Sequence, residues 1–151
     1  MTAPHIRIFP HSQKEFPSLD TLTTWLLTGL KARGGKYLLV SKNAVAELPP
    51  GSLVLFRYGQ AVVGEGIVKE YSRESSTENR TLFGDDQTYE SCVCFSPSSI
   101  RVYAPPVRIE ALQSFIGEPL NISMPVPYYK IEDWNVYPRL LAHVAESGFF
   151  I

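Results

Sequence analysis

Residues 48–71, LPPGSLVLFRYGQAVVGEGIVKEY, read as a turn, a strand, a tight reversal and a second strand interrupted by glycine. Pro49, Pro50 and Gly51 favour a turn ahead of the first strand. Ser52–Tyr58 is dense in aliphatic, β-branched and aromatic residues, and Gly59-Gln60 can reverse the chain. Ala61–Tyr71 then returns, with Gly64 and Gly66 flanking Glu65. Two glycines inside a returning strand point to a bulge, a sharp bend or a close approach to the backbone. A hairpin of this kind suits a small β-barrel with a ligand-facing rim.

Working outward, residues up to about Phe16 form an N-terminal arm or first strand, with Ile6, Ile8 and Phe9 as its apolar positions. Leu19, Leu22, Trp25, Leu26 and Leu30 recur at helical spacing, which predicts a helix over 20–33. Ser18 or Asp20 can cap its start, and Gly34-Gly35 stop it. Residues 36–41 follow as a short strand, and 42–47 as a turn or a single helical turn. The polar stretch 72–87 reads as a loop, serving either gating or connection. Strands are predicted at 88–95 and 99–103, with Ala104-Pro105-Pro106 ending the sheet. A helix over 107–116 stops at Gly117, and the proline-punctuated 118–129 reads as extended. Tyr137, Leu140, Leu141 and Val144 mark a last helix ending at Gly148, and Phe149–Ile151 form an apolar terminus that should dock on the core or on a partner. Five or six strands and three helices, dominated by hairpins, predict an α+β fold. The expected architecture is a small, mostly antiparallel β-barrel flanked by about three helices, in a single domain over 1–151.

The totals exclude several classes. A chain of 151 residues that is 44% hydrophobic and 19% charged is globular and long enough to bury a core. It has no apolar run of membrane-spanning length and no signal-peptide pattern, so a cytoplasmic protein without membrane attachment is expected. Fourteen basic against fifteen acidic residues argue against strong, sequence-blind nucleic-acid binding, though not against a local basic patch or a pocket for one extruded nucleotide. Cys92 and Cys94 share one face if they lie on a strand. Metal binding would need more ligands than this pair, and His5, His11 and His143 are scattered, so two small core or half-buried thiols are expected.

The segments Gly51–Phe56 and Val62–Val68 (VVGEGIV) resemble the PUA-like superfamily, which includes the EVE, ASCH and YTH domains. Members commonly show a glycine turn, an apolar strand and then a VVG-type strand that closes a barrel. The resemblance implies a binding module that recognises RNA or modified bases in DNA or RNA. Ser52 stands where an acidic residue often follows the glycine, and no basic cluster or nuclease domain accompanies the motif.

A base pocket needs aromatic plates and a few donors and acceptors for the base edge. Trp134, in the polar context Glu132-Asp133-Trp134-Asn135, is the foremost aromatic candidate, the alternative being a plug at one end of the barrel. Trp25 falls on the helical stripe and belongs to the core. Tyr58 in the hairpin turn and Tyr71 at the end of the return strand can stack on a ligand or cover the rim. Ser41, Lys42 and Asn43 follow a strand end, where they can reach phosphate and base edges or simply form a turn. Arg57 adjoins Tyr58, although neighbouring strand positions face opposite sides. Glu65 reads as an exposed carboxylate and Asp85-Asp86 as a cation-binding pair, neither with a recognisable partner. No catalytic residue, metal site or cofactor is expected. The expected function is recognition of a modified or extruded base by stacking and polar edge contacts, with DNA or RNA as partner. The alternatives are a protein-interaction module of the defence or toxin–antitoxin kind, using 148–151 and 124–129, and a small hydrolase or transferase.

Overall fold

A computed structural model describes residues 2–39, 48–72, 91–117 and 129–151. The strands are β1 (Ile6–His11), β2 (Lys36–Leu39), β3 (Leu53–Tyr58), β4 (Ala61–Ser72), β5 (Ser91–Phe95), β6 (Arg101–Arg108), β7 (Tyr129–Ile131) and β8 (Phe149–Phe150). The helices are α1 (Leu19–Thr24), α2 (Ile109–Ile116) and α3 (Val136–Ser147), with α1 continuing as π-helical turns through Trp25–Leu30. No helix among the described residues is long and apolar enough to cross a membrane.

The hairpin read from the sequence is β3–β4, turned at Gly59 in the left-handed region and paired from Leu53↔Ile67 to Tyr58↔Ala61. β3 lies centrally between β4 and β1, so its alternation divides two cores rather than core from solvent. Val54 and Phe56 face one, with Phe9, Trp25, Tyr37, Val63 and Phe95. Leu53 and Leu55 face the other, with Ile6, Ile8, Val62, Tyr103, Leu112 and Leu140. The N-terminal residues are therefore a strand at the heart of the sheet, not an arm. β1 runs parallel to β3, in register from Ile6↔Leu53 to His11↔Tyr58. A parallel pair needs a long crossover, supplied here by the chain through α1 and β2.

The strands order as β2-β5-β4-β3-β1-β7, with β6 pairing β4 and β8 pairing β6. No pairing among the described residues joins the β2 and β7 ends, so the described sheet is mixed and open rather than the closed barrel expected from the sequence. β6 also runs through Pro105-Pro106, where an end to the sheet was expected. Those prolines cost no ladder bonds: Val102↔Gly64 and Val107↔Val62 bracket a register shift in which residues 103–106 lie opposite Val63 alone. Tyr103 and Ala104 pair instead with Phe150 and Phe149, so part of the apolar terminus docks as β8.

The glycine stop of the first helix is as read. Ser18 caps α1 in a reciprocal box with Thr21. Gly34 and Gly35 have positive φ, and Gly35 lies so close to the Phe95 carbonyl that any side chain would collide.

Candidate functional site

The VVGEGIV motif has an internal explanation. At Gly64 a Cβ would strike the backbone carbonyl of Arg101 on β6, and at Gly66 it would lie 3.0 Å from the Phe95 ring. The approach to the backbone that the glycines announced is therefore made by the protein itself. Between them, Glu65 is buried rather than exposed, and its carboxylate accepts from three donors. The Tyr103 hydroxyl donates to Oε1 at 2.8 Å; the Tyr137 hydroxyl and Arg101 donate to Oε2, the latter at 3.1 Å. The network ties β4 and β6 to α3, and Phe150 covers the Arg101 guanidinium 4.1 Å from its ring centre.

Burial and Glu65 hold the Tyr137 phenol up at about 12, and Tyr103 well above its ordinary value. Burial works against the Arg101 cation, but Glu65 and Tyr137 together outweigh it and hold the guanidinium above its usual range. A phenol that holds its proton more tightly folded than unfolded stabilises fully below the ordinary tyrosine value of about 10. That contribution is lost as pH rises toward the folded value of about 12. Urea midpoints followed upward from mildly alkaline pH should therefore fall steeply across that window. Tyr137→Phe should blunt the fall and cost about 1–2 kcal/mol at neutral pH. An unchanged alkaline profile would mean that Tyr137 is not tied to Glu65.

The expected site residues fall at two ends of the sheet. Tyr58 and Arg57 lie at the Gly59 turn. Tyr58 donates to the Phe16 carbonyl at 2.8 Å and packs on the first core; Arg57 donates to the Gly59 carbonyl at 2.8 Å. Burial draws the Arg57 guanidinium below its usual value. Arg57 thus closes the turn, and Tyr58 ties it to Phe16.

Trp134 and Tyr71 belong to the opposite end. The Trp134 indole donates to the Pro4 carbonyl at 3.0 Å while the residue stays 37% exposed, so the ring is pinned yet open to solvent. Pro4 lies beside Gly51, whose N–H donates at 2.8 Å to Val68, three residues before Tyr71. Tyr71 is half-buried opposite Val93, which also faces Tyr37, and it packs on the first core. Ser41, Lys42 and Asn43 lie outside the described residues. Their segment leaves β2 at Leu39, opposite Ser91, and rejoins the described chain at Leu48, just ahead of Gly51.

Beneath Tyr71 the core is built of rings. Phe9, Tyr37, Phe56 and Phe95 meet at centroid distances of 5.4–6.5 Å, with Phe16 and Trp25 beside them. One polar seam crosses it: His11 meets the Tyr37 hydroxyl at 2.7 Å and the Arg57 carbonyl at 3.1 Å. A second polar group sits by Pro4. The His5 Nδ1–H donates to the Ala3 carbonyl at 3.0 Å, and Nε2 accepts from Arg7 at 2.9 Å. Burial, reinforced by the Arg7 and Lys130 charges, lowers the His5 pKa against the opposing pull of that carbonyl. His11 had no sequence signal beyond its place on an alternating strand, and His5, just ahead of β1, had none.

Two clefts among the described residues, of about 340 and about 300 Å3, contain none of the expected site residues. One lies between Ile116 and Tyr129–Asp133, the other between Pro105–Arg108 and α3. No three His, Cys, Asp or Glu residues among those described are grouped to hold a metal. In the terminal tail Phe149 and Ile151 are exposed while Phe150 turns inward against Tyr103; residues 124–128 lie outside the described set.

No known protein family matches the chain by sequence, and no curated protein does. Among solved structures the chain is similar to the YTH domain of the Zygosaccharomyces rouxii MRB1 protein, in complex with N6-methyladenosine RNA. The similarity covers 95% of this chain and 90% of that one at 14% identity, with a TM-score of 0.48, too distant to carry residue roles across.

Proposed function

We propose that the protein is a PUA-like nucleic-acid-binding module that holds a modified or extruded base by aromatic stacking and polar edge contacts, without chemistry on it. What supports this reading is an exposed indole held in place at one end of the sheet. Trp134 is pinned to the Pro4 carbonyl there, and Tyr71, three residues past Val68, lies toward the same end on the aromatic first core. Tyr71 supplies the inner plate and Trp134 a fixed outer plate for the base or its neighbour. Ser41, Lys42 and Asn43 supply contacts to base edge and phosphate. Pinning the indole before binding lowers the ordering cost of stacking on it. Tyr58 and Arg57, at the far turn, have no part in the contact.

The chain's two tryptophans make a direct test. Trp25 is buried and Trp134 is open, so a stacked base should quench emission from Trp134 alone. Titration with a single-stranded oligonucleotide at low salt should quench the wild type. Trp134→Phe should abolish the quench while leaving most of the affinity. Tyr71→Ala should weaken binding by roughly 5- to 150-fold, the range of one base–aromatic stack. Binding with no change in Trp134 emission, and full affinity in Tyr71→Ala, would remove this end of the sheet as the site.

A further inference from the structure

Cys92 and Cys94 lie apart from everything assigned above. Val93 and Phe95 face the first core, so the two cysteines face the other side of β5, where Leu38 is their apolar neighbour. Their sulfurs are 4.0 Å apart, with Cys92 buried and Cys94 half-buried. Lys36 and Glu70 stand opposite Cys94 on the flanking strands. A tetrahedral ion is short of ligands here, because no group of three His, Cys, Asp or Glu is formed among the described residues. A soft monovalent ion has no such need. Thiolate sulfur suits Cu(I) as well as zinc and iron–sulfur clusters, and of these Cu(I) is the one whose shell two sulfurs can complete, in a linear arrangement.

The spacing suits that geometry. With the zinc–thiolate length of about 2.3 Å as a guide, two such bonds span about 4.6 Å when linear, so the sulfurs, now 4.0 Å apart, need to part by roughly half an ångström. Cys94, the half-buried member of the pair, is the side chain whose adjustment would supply it. We propose that Cys92 and Cys94 form a two-thiolate site for one soft monovalent cation, such as Cu(I). On binding, each thiol releases its proton to solvent and each sulfur donates an electron pair to the metal, whose oxidation state does not change. The site is independent of the nucleic-acid reading, since neither sulfur lies at that end's aromatic face.

The test is an anaerobic titration of the reduced full chain with Cu(I) against the chromophoric chelator bicinchoninate. One Cu(I) per chain is expected. Cys92→Ser and Cys94→Ser should each weaken binding at least ~100-fold, because half the ligand set is gone. Retention of wild-type affinity by either variant would overturn the proposal, as would a wild type that yields its copper as readily as the doubly substituted chain. X-ray absorption of the copper-loaded wild type gives the same answer without substitution: two sulfur neighbours are expected, and a shell of nitrogen or oxygen alone would contradict the site.

Discussion

Glu65→Ala should destabilise the protein by about 3 kcal/mol. The loss comes from the buried Tyr103 hydroxyl left without its acceptor and from the cavity left behind, with little from Arg101, which is 37% exposed. The carboxylate is 2% exposed and is the shared acceptor of Tyr103, Tyr137 and Arg101. In a chain of this size such a change lowers the thermal midpoint by on the order of 10 °C, readable by circular dichroism. Glu65→Gln keeps one carbonyl acceptor and should recover part of the loss. An alanine variant within 1 kcal/mol of wild type would show that apolar packing alone holds α3 to the sheet.

Gly64→Ala is the second large effect, and its cause is purely steric. The added methyl would occupy the space of the Arg101 carbonyl on the neighbouring strand, and both backbones are held by the pairing Gly64↔Val102. Neither a rotamer change nor a flexible side chain can relieve that overlap, so β4 and β6 must separate. The cost is about 3 kcal/mol or more, at the upper end for overpacking. Gly66→Ala should cost less, because its obstacle is the Phe95 ring at 3.0 Å, a side chain that can shift by a few tenths of an ångström. Denaturant midpoints for the two variants should therefore rank Gly64→Ala well below Gly66→Ala. The reverse order would contradict the close packing of β4 on β6.

Local features were legible from the residues; pairings across the chain were not. The β3–β4 hairpin could be read because its turn and its apolar runs lie within 24 consecutive residues. The first helix could be read from its stripe, its Ser18 cap and its glycine stop. The π-helical turns at Trp25–Leu30 left no trace in that stripe, which is equally apolar in either helical form. Pro105-Pro106 appeared to end a strand because a proline is out of place in a ladder. The register shift that accommodates the pair is a property of β4 and β6 together. Glu65 was misread for the same reason. Its partners Arg101, Tyr103 and Tyr137 lie 36, 38 and 72 residues away, and no local pattern announces them. The same limit held for the candidate site. Tyr58 and Arg57 neighbour the hairpin in sequence but lie at its far turn. Trp134 is tied to Pro4, which lies beside Gly51 and so near Val68, a placement that no local pattern announces.

If the protein binds a base as proposed, its affinity comes from a pocket more than from a charged surface, in keeping with a net charge of -1. Its salt dependence should accordingly be shallow. That expectation separates base recognition from adventitious attraction to phosphate. The deciding measurement is equilibrium binding at low salt to matched single- and double-stranded oligonucleotides, each with unmodified bases or with one modified base. Saturable binding that prefers one modified or unpaired base, and weakens in both Trp134→Ala and Tyr71→Ala, is the predicted result. A well-folded protein that binds none of these oligonucleotides, or binds all of them equally with a steep salt dependence, would contradict it.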